Sequence, residues 1–142
     1  MKLQCKYNSA ISVENIQEVA RENGFTYTND FINFIQTSNN GIISPNKFNS
    51  EQSKEYEVKT ILSYNHKDIE NVYTAINILK EDGKSLIPFA NTPSGDFVCI
   101  DFNNAVVLWK HETSAIEKLA STFSLFSNIH FFIDLFKTFL YN

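Results

Sequence analysis

The sequence predicts an α+β fold, a single domain with a mixed or mostly antiparallel β-sheet and helices packed around it. Three observations lead there. A chain of 142 residues, 43% of them hydrophobic, is one domain by length and can bury a sizeable core. Three segments before Leu86 repeat apolar residues at helical spacing. From Leu86 to Lys110, short apolar runs alternate instead with turn residues, the pattern of consecutive strands.

The first helix spans Ser12 to Asn23. Ser12 caps it, Val13, Ile16 and Ala20 recur at helical spacing, and Gly24 stops it. Thr28 or Asn29 caps the second, whose stripe is Phe31, Phe34 and Ile35, with Ile32 alongside. It ends at Asn39-Asn40-Gly41, residues that tolerate positive φ; a binding turn is the alternative use of this tripeptide. Residues 44–53 are a polar loop with a short strand near Phe48. Tyr56, Val58, Thr60 and Leu62 alternate as a strand. Asp68 caps a helix running to Leu79, with Ile69, Val72, Tyr73, Ile76 and Leu79 on one face and Glu81-Asp82-Gly83 as its close.

Leu86 to Ala90 is a strand containing Pro88, which has no N–H and therefore belongs at an edge or a strand start. After a turn at Asn91 to Gly95, the runs Phe97–Phe102 and Ala105–Lys110 are separated by Asn103-Asn104 alone. A two-residue type I′ turn needs positive φ twice, and asparagine tolerates it best after glycine. That turn sets Phe102 opposite Ala105, Ile100 opposite Val107, Val98 opposite Trp109 and Asp96 opposite His111. Both hairpin faces are largely apolar, so the hairpin lies centrally in the sheet with cover on both sides. Ser114 to Glu117 has capping-box spacing, and Ile116, Leu119, Ala120, Phe123 and Phe126 continue it as a helix. The rival is a strand alternating Leu119, Ser121, Phe123 and Leu125; the helix is preferred. Asn128 to Leu140 reads as a last, apolar helix packed on the sheet.

Net charge is −4 and the isoelectric point is near 5.3, which argues against nucleic acid as a ligand and permits a basic protein partner. Cys5 and Cys99 form no CxxC pair, so no zinc site is expected, and Cys99 lies in an apolar run as a small buried hydrophobe. Free thiols fit a reducing cytoplasm. The first residues contain no apolar signal segment, and no apolar run approaches the roughly 20 residues of a membrane span. Asn and Lys are abundant and Arg21 is the only arginine, a bias that resembles proteins of AT-rich bacterial genomes.

Five residues are candidates for a site: Asp96, Asp101, Trp109, His111 and Glu112. An aspartate facing a histidine across a hairpin orients an imidazole for acid–base work. No nucleophile with its own base accompanies the pair, and one histidine with three carboxylates matches no metal spacing. The preferred reading gives Asp96 to the amides of its turn and leaves His111 half exposed at a strand end. Trp109 packs beside Val98 in the core, with an interface anchor as the alternative. Asp101 either meets a donor or sits at the rim of a groove, where it contacts a partner. No cofactor is implied.

Several of these segments, taken in order, resemble the SUKH superfamily. Thr28 to Gly41 is similar to its early helix, "D-[YF]-xx-F-[LI]" ending in "N-G", and Leu86-Ile-Pro-Phe-Ala90 to its "L-I-P-F-A" strand. Gly95-Asp96 with Asp101 resembles its "G-D-…-D" strand, and Val107 to Glu112 its "V-[YF]-[YFW]-x-H-E" strand. Phe123-Ser-Leu-Phe126, or Phe132-Ile133, resembles its C-terminal "S-F-xx-F-[IL]" motif. The resemblance implies an α+β domain without catalysis. It further implies either a bacterial immunity protein that binds a cognate polymorphic toxin or, as in the yeast cell-wall regulator, a scaffold for a host protein. The chain departs from the family where Asn103-Asn104 replaces a longer loop, and its last aromatic segment runs further than the family leads one to expect.

Overall fold

The computed structural model of the protein describes residues 3–50, 52 and 54–132. In chain order it contains β1 (Gln4–Lys6), α1 (Val13–Glu22), α2 (Asn29–Ser38), β2 (Ile42–Ser44), β3 (Lys47–Asn49), β4 (Glu55–Glu57) and β5 (Thr60–Ile61). There follow α3 (Val72–Glu81), β6 (Ile87–Asn91), β7 (Phe97–Ile100), β8 (Val106–Trp109), β9 (Ile116–Ala120), α4 (Phe123–Leu125), a π-helical turn (Phe126–His130) and β10 (Phe131–Phe132). The main sheet has the order β5-β6-β7-β8-β9 with every pairing antiparallel. Two small antiparallel sheets, β1-β2 and β10-β3-β4, complete the pairing among the described residues. This is the expected α+β domain.

The early helices form for the reasons their sequences give. Ser12 accepts a hydrogen bond from the Asn15 amide at 3.2 Å, and α1 buries Ile16, Val19 and Ala20. At α2 the cap position is Thr28, but it is the Asp30 carboxylate that takes the first-turn Phe31 amide, at 3.0 Å. Phe31 and Ile35 go to the core. The following Asn39-Asn40-Gly41 is a structural joint. Asn40 has φ 60°, and a Cβ at Gly41 would lie 2.1 Å from Cys5 Sγ, so only glycine fits between α2 and β1. Asn39 is fully buried. Its Oδ1 accepts from the Tyr64 amide at 2.7 Å, and its Nδ2 donates to Ser9 and Ser63.

The β7–β8 hairpin is central, as expected, and both its faces are covered. Val98, Ile100, Val106 and Leu108 join the main core with Ile16 of α1 and Phe31 of α2. Cys99, Val107 and Trp109 meet Leu79 of α3 and Leu86 on the other face. The expected register is wrong by one residue. The pairs are Phe97–Trp109, Val98–Leu108, Cys99–Val107 and Ile100–Val106. The type I′ turn does not form, because only Asn104 of the two asparagines takes positive φ, at 60°. Instead the Asn104 amide reaches the Asp101 carbonyl and the Asp101 amide the Ala105 carbonyl, each at 3.0 Å. Phe102 to Asn104 thus form a three-residue loop ending in a left-handed residue. The shift puts Trp109 on the Phe97 face rather than the Val98 face, since a one-residue slip changes which side chains share a face.

Other expectations are corrected for similarly local reasons. The middle helix begins at Val72, where Asn71 caps the Thr74 amide at 2.9 Å; Asp68 lies in the preceding turns and Ile69 is 96% exposed. Tyr56 to Leu62 is two strands, β4 in one sheet and β5 in another, as Val58 and Lys59 carry the chain across. Pro88 stands near the start of an internal strand, and the ladder shifts register between Pro88 and Ala90, where proline supplies no N–H. Of residues 114–126, Ile116–Ala120 are strand β9 and only Phe123–Leu125 are α-helical: Ser114 has φ 60°, outside the extended region an N-cap occupies, and β8 offers a ladder to pair with. Of the expected last helix, Asn128 to His130 belong to the π turn that starts at Phe126, and Phe131–Phe132 pair with β3. Residues 133–140 of that expectation lie outside the described residues.

Candidate functional site

Asp96 and His111 do meet. The turn from Thr92 to Asp96 closes on itself through Thr92 N to Asp96 O at 3.0 Å, with Gly95 at φ 91°. It presents the Asp96 carboxylate to the start of the next turn, where Oδ1 accepts from the His111 amide at 3.1 Å and lies 2.7 Å from His111 Nδ1. The register places Lys110, not His111, across from Asp96, so the contact is made by the side chain reaching sideways. Ser94 Oγ donates to the other carboxylate oxygen at 3.3 Å. Serine, histidine and aspartate are therefore all present, but the carboxylate sits in the middle. Nucleophilic catalysis needs the imidazole between hydroxyl and carboxylate. What this order does is clasp two turns.

The remaining candidates are dispersed. Asp101 is at the opposite end of β7, five residues or about 17 Å along an extended chain. Its Oδ1 accepts from the amides of Asn103 and Ala105, each at 2.9 Å, so its donors are those of its own loop. Trp109 is 4% exposed, stacks on Phe97 with ring centres 5.5 Å apart, and donates its indole N–H to Asp82 at 2.8 Å. Ser114 donates to the other Asp82 oxygen. These two bonds, Ser114 first, hold the Asp82 carboxyl below its ordinary range. Glu112 is exposed in the turn beside His111. Among the described residues, no three His, Cys, Asp or Glu side chains are grouped to hold a metal ion. No helix among them is long and apolar enough to cross a membrane.

Two features escaped the sequence. The first is Glu117, a carboxylate 9% exposed on β9. Its Oε1 takes the Tyr56 hydroxyl at 3.1 Å and Lys110 Nζ at 3.2 Å, with Lys54 Nζ at 3.7 Å. Its Oε2 is buried with no hydrogen bond of good geometry. Burial pushes this carboxyl up, but the nearby Ser50 hydroxyl, Lys110 and Tyr56 pull it down further, to below the usual glutamate value. The Tyr56 hydroxyl and Glu117 in turn raise Lys110. Reading 114–126 as a helix hid this cluster; strand phase, with Glu117 and Leu119 inward, was the signal. The second is a mixed cleft where the exposed side chains of Tyr7 (81% exposed), Ile42 and Ile69 converge among Asn40, Lys67, Asp68 and Glu70. Tyr7 has φ 62°, a conformation bulky residues seldom adopt.

An α+β domain with an antiparallel sheet covered on both faces, and with its most reactive-looking pair committed to joining turns, is the class that fold and site define. The family follows from comparison. The model of the SMI1 / KNR4 family (SUKH-1) matches residues 10–128, and the chain belongs to that family. That family includes immunity proteins. No curated protein and no solved structure matched the chain.

Proposed function

We propose that the protein is a non-catalytic immunity protein that neutralises a cognate toxin by one-to-one binding in the cytoplasm of the cell that makes it. The observation that carries this reading is family membership across residues 10–128. Two features support it. Polar groups that resemble catalytic ones are consumed by turns at Asp96 and Asp101. The mixed cleft in which Tyr7, Ile42 and Ile69 are exposed among Lys67, Asp68 and Glu70 offers a partner apolar and charged contacts side by side. His111 and Glu112 are the expected contact residues that face solvent, and Asp96 holds His111 in place. In this reading Trp109 and Asp101 serve the interface as its support, from the core and from the hairpin loop.

The mechanism is occlusion. An interface of about 1,600 Å² in total is enough for a stable complex, and a net charge of −4 speeds encounter with a basic toxin. Titrating the protein into an assay of the toxin encoded beside it should lower activity linearly, reaching zero near one equivalent. Protection at far below one equivalent would overturn the reading. The regulatory scaffold remains the second reading, favoured by the family's SMI1 / KNR4 members. It predicts no toxin gene beside this one and no loss of toxin activity on mixing.

A further inference from the structure

The cluster around Glu117 lies in an open cleft of about 330 Å³ that runs along a sheet edge. β9 is the last strand of the main sheet, so among the described residues no strand pairs with its outer side. An unpaired edge is a template for an added strand. The residues along this one are unusual for an acidic chain. Lys54, Lys110 and Lys118 line the cleft, against Glu117 as its one acidic lining residue. The Glu117 carboxylate holds the ammonium groups of Lys110 and Lys54 near the edge rather than letting them disperse. Ile116 is 46% exposed there, giving a partner an apolar contact.

We infer that an extended, acidic segment of a protein partner adds to β9 along this cleft, with Lys54, Lys110 and Lys118 meeting its carboxylates. Main-chain hydrogen bonds to β9 provide affinity that does not depend on sequence, and the lysines select charge. The lysines reverse the chain's overall sign at this place, so a partner that is basic elsewhere still presents an acidic strand here. This assigns a surface to the binding role proposed above and rests on that role.

The test uses the full chain, labelled with nitrogen-15, and a capped nine-residue peptide alternating glutamate and threonine. A peptide alternating lysine and threonine is the control. The acidic peptide should shift the β9 amides saturably, weaken at least ten-fold between 50 and 300 mM salt (the expected range for several screened ion pairs), and leave the lysine peptide without effect. The double variant Lys54→Glu/Lys118→Glu, which changes two exposed side chains and spares the Lys110–Glu117 pair, should abolish the shifts while keeping the remaining spectrum. No saturable shift at 1 mM acidic peptide, equal response to both peptides, or shifts centred away from β9 would each overturn the inference (about 1 mM being the weak limit of useful affinity). Toxin titration is a separate readout: neutralisation that survives loss of peptide binding rejects the edge cleft alone.

Discussion

Asp96 and Glu117 are both carboxylates that gather donors beside the end of β8, yet they are opposites. Asp96 sits in a turn, both oxygens engaged, with the backbone amide of His111 as one donor. Glu117 sits in a strand, deeply buried, with three donors or cations crowded on one oxygen and no good bond to the other. The difference teaches where to look for leftover binding capacity. A carboxylate that fastens turns has used its acceptors for folding. One buried at a sheet edge gathers lysines beside an open cleft and leaves one oxygen without a good bond, so its acceptors are not all given to folding.

The sharpest way to break the comparison is at Glu117. Glu117→Ala should cost about 2–3 kcal/mol, by leaving a void and depriving Tyr56 and Lys110 of their acceptor. Glu117→Leu should cost about 1 kcal/mol less than Glu117→Ala, since it fills the void while taking the same acceptor from Tyr56 and Lys110. Urea denaturation reads both, and equal losses in the two variants would make Glu117 a fastener after all. Asp96→Ala should cost about 1–2 kcal/mol, from the lost bond to the His111 amide and the untied turn. His111→Ala should cost under about 1 kcal/mol, because the ring is 41% exposed and its pairing is screened.

A smaller effect tests the hairpin loop. Asp101→Ala should cost about 1 kcal/mol by removing the acceptor for Asn103 and Ala105. Asn104→Gly should be neutral or gain up to about 1 kcal/mol, because it relieves a left-handed asparagine. If Asn104→Gly destabilised the protein, the three-residue loop would be the wrong description. The smallest is a slope with pH. The Glu117 carboxyl is held below its ordinary 4.5, so the unfolded chain binds that proton more readily. Its stabilisation is complete above 4.5 and disappears as pH falls through the lowered value. Glu117→Gln should therefore flatten the acid-side loss of stability, read as urea midpoints from pH 6 to pH 3 (a span that brackets the ordinary carboxylate range).

What was legible and what was not divides by the range of the cause. The α1 and α2 helices, the Gly24 stop and the Asn39-Asn40-Gly41 joint were readable because caps, periodicity and positive-φ tolerance act within a few residues. The apolar runs of β7 and β8 were readable for the same reason. The register was not, since it depended on whether Asp101 could supply an acceptor to its own loop, and that is a choice between two nearly equal turns. Residues 114–126 fit both periods. Their periodicity pointed to a helix, and the free ladder of β8 together with the left-handed Ser114 made a strand.

By itself, then, the sequence determined the α+β class, the two early helices, the apolar hairpin and the ordered motifs that place the chain in its family, all through local patterns of burial and turn chemistry. Only the tertiary structure decided which carboxylate is spent and which is not. Asp96 and His111 are brought together by two turns closing 15 residues apart in sequence. Glu117 gains its environment from Tyr56, 61 residues away on another sheet. Long-range pairing between edges leaves no local trace in a sequence, because its energy comes from groups that meet only once the chain has folded.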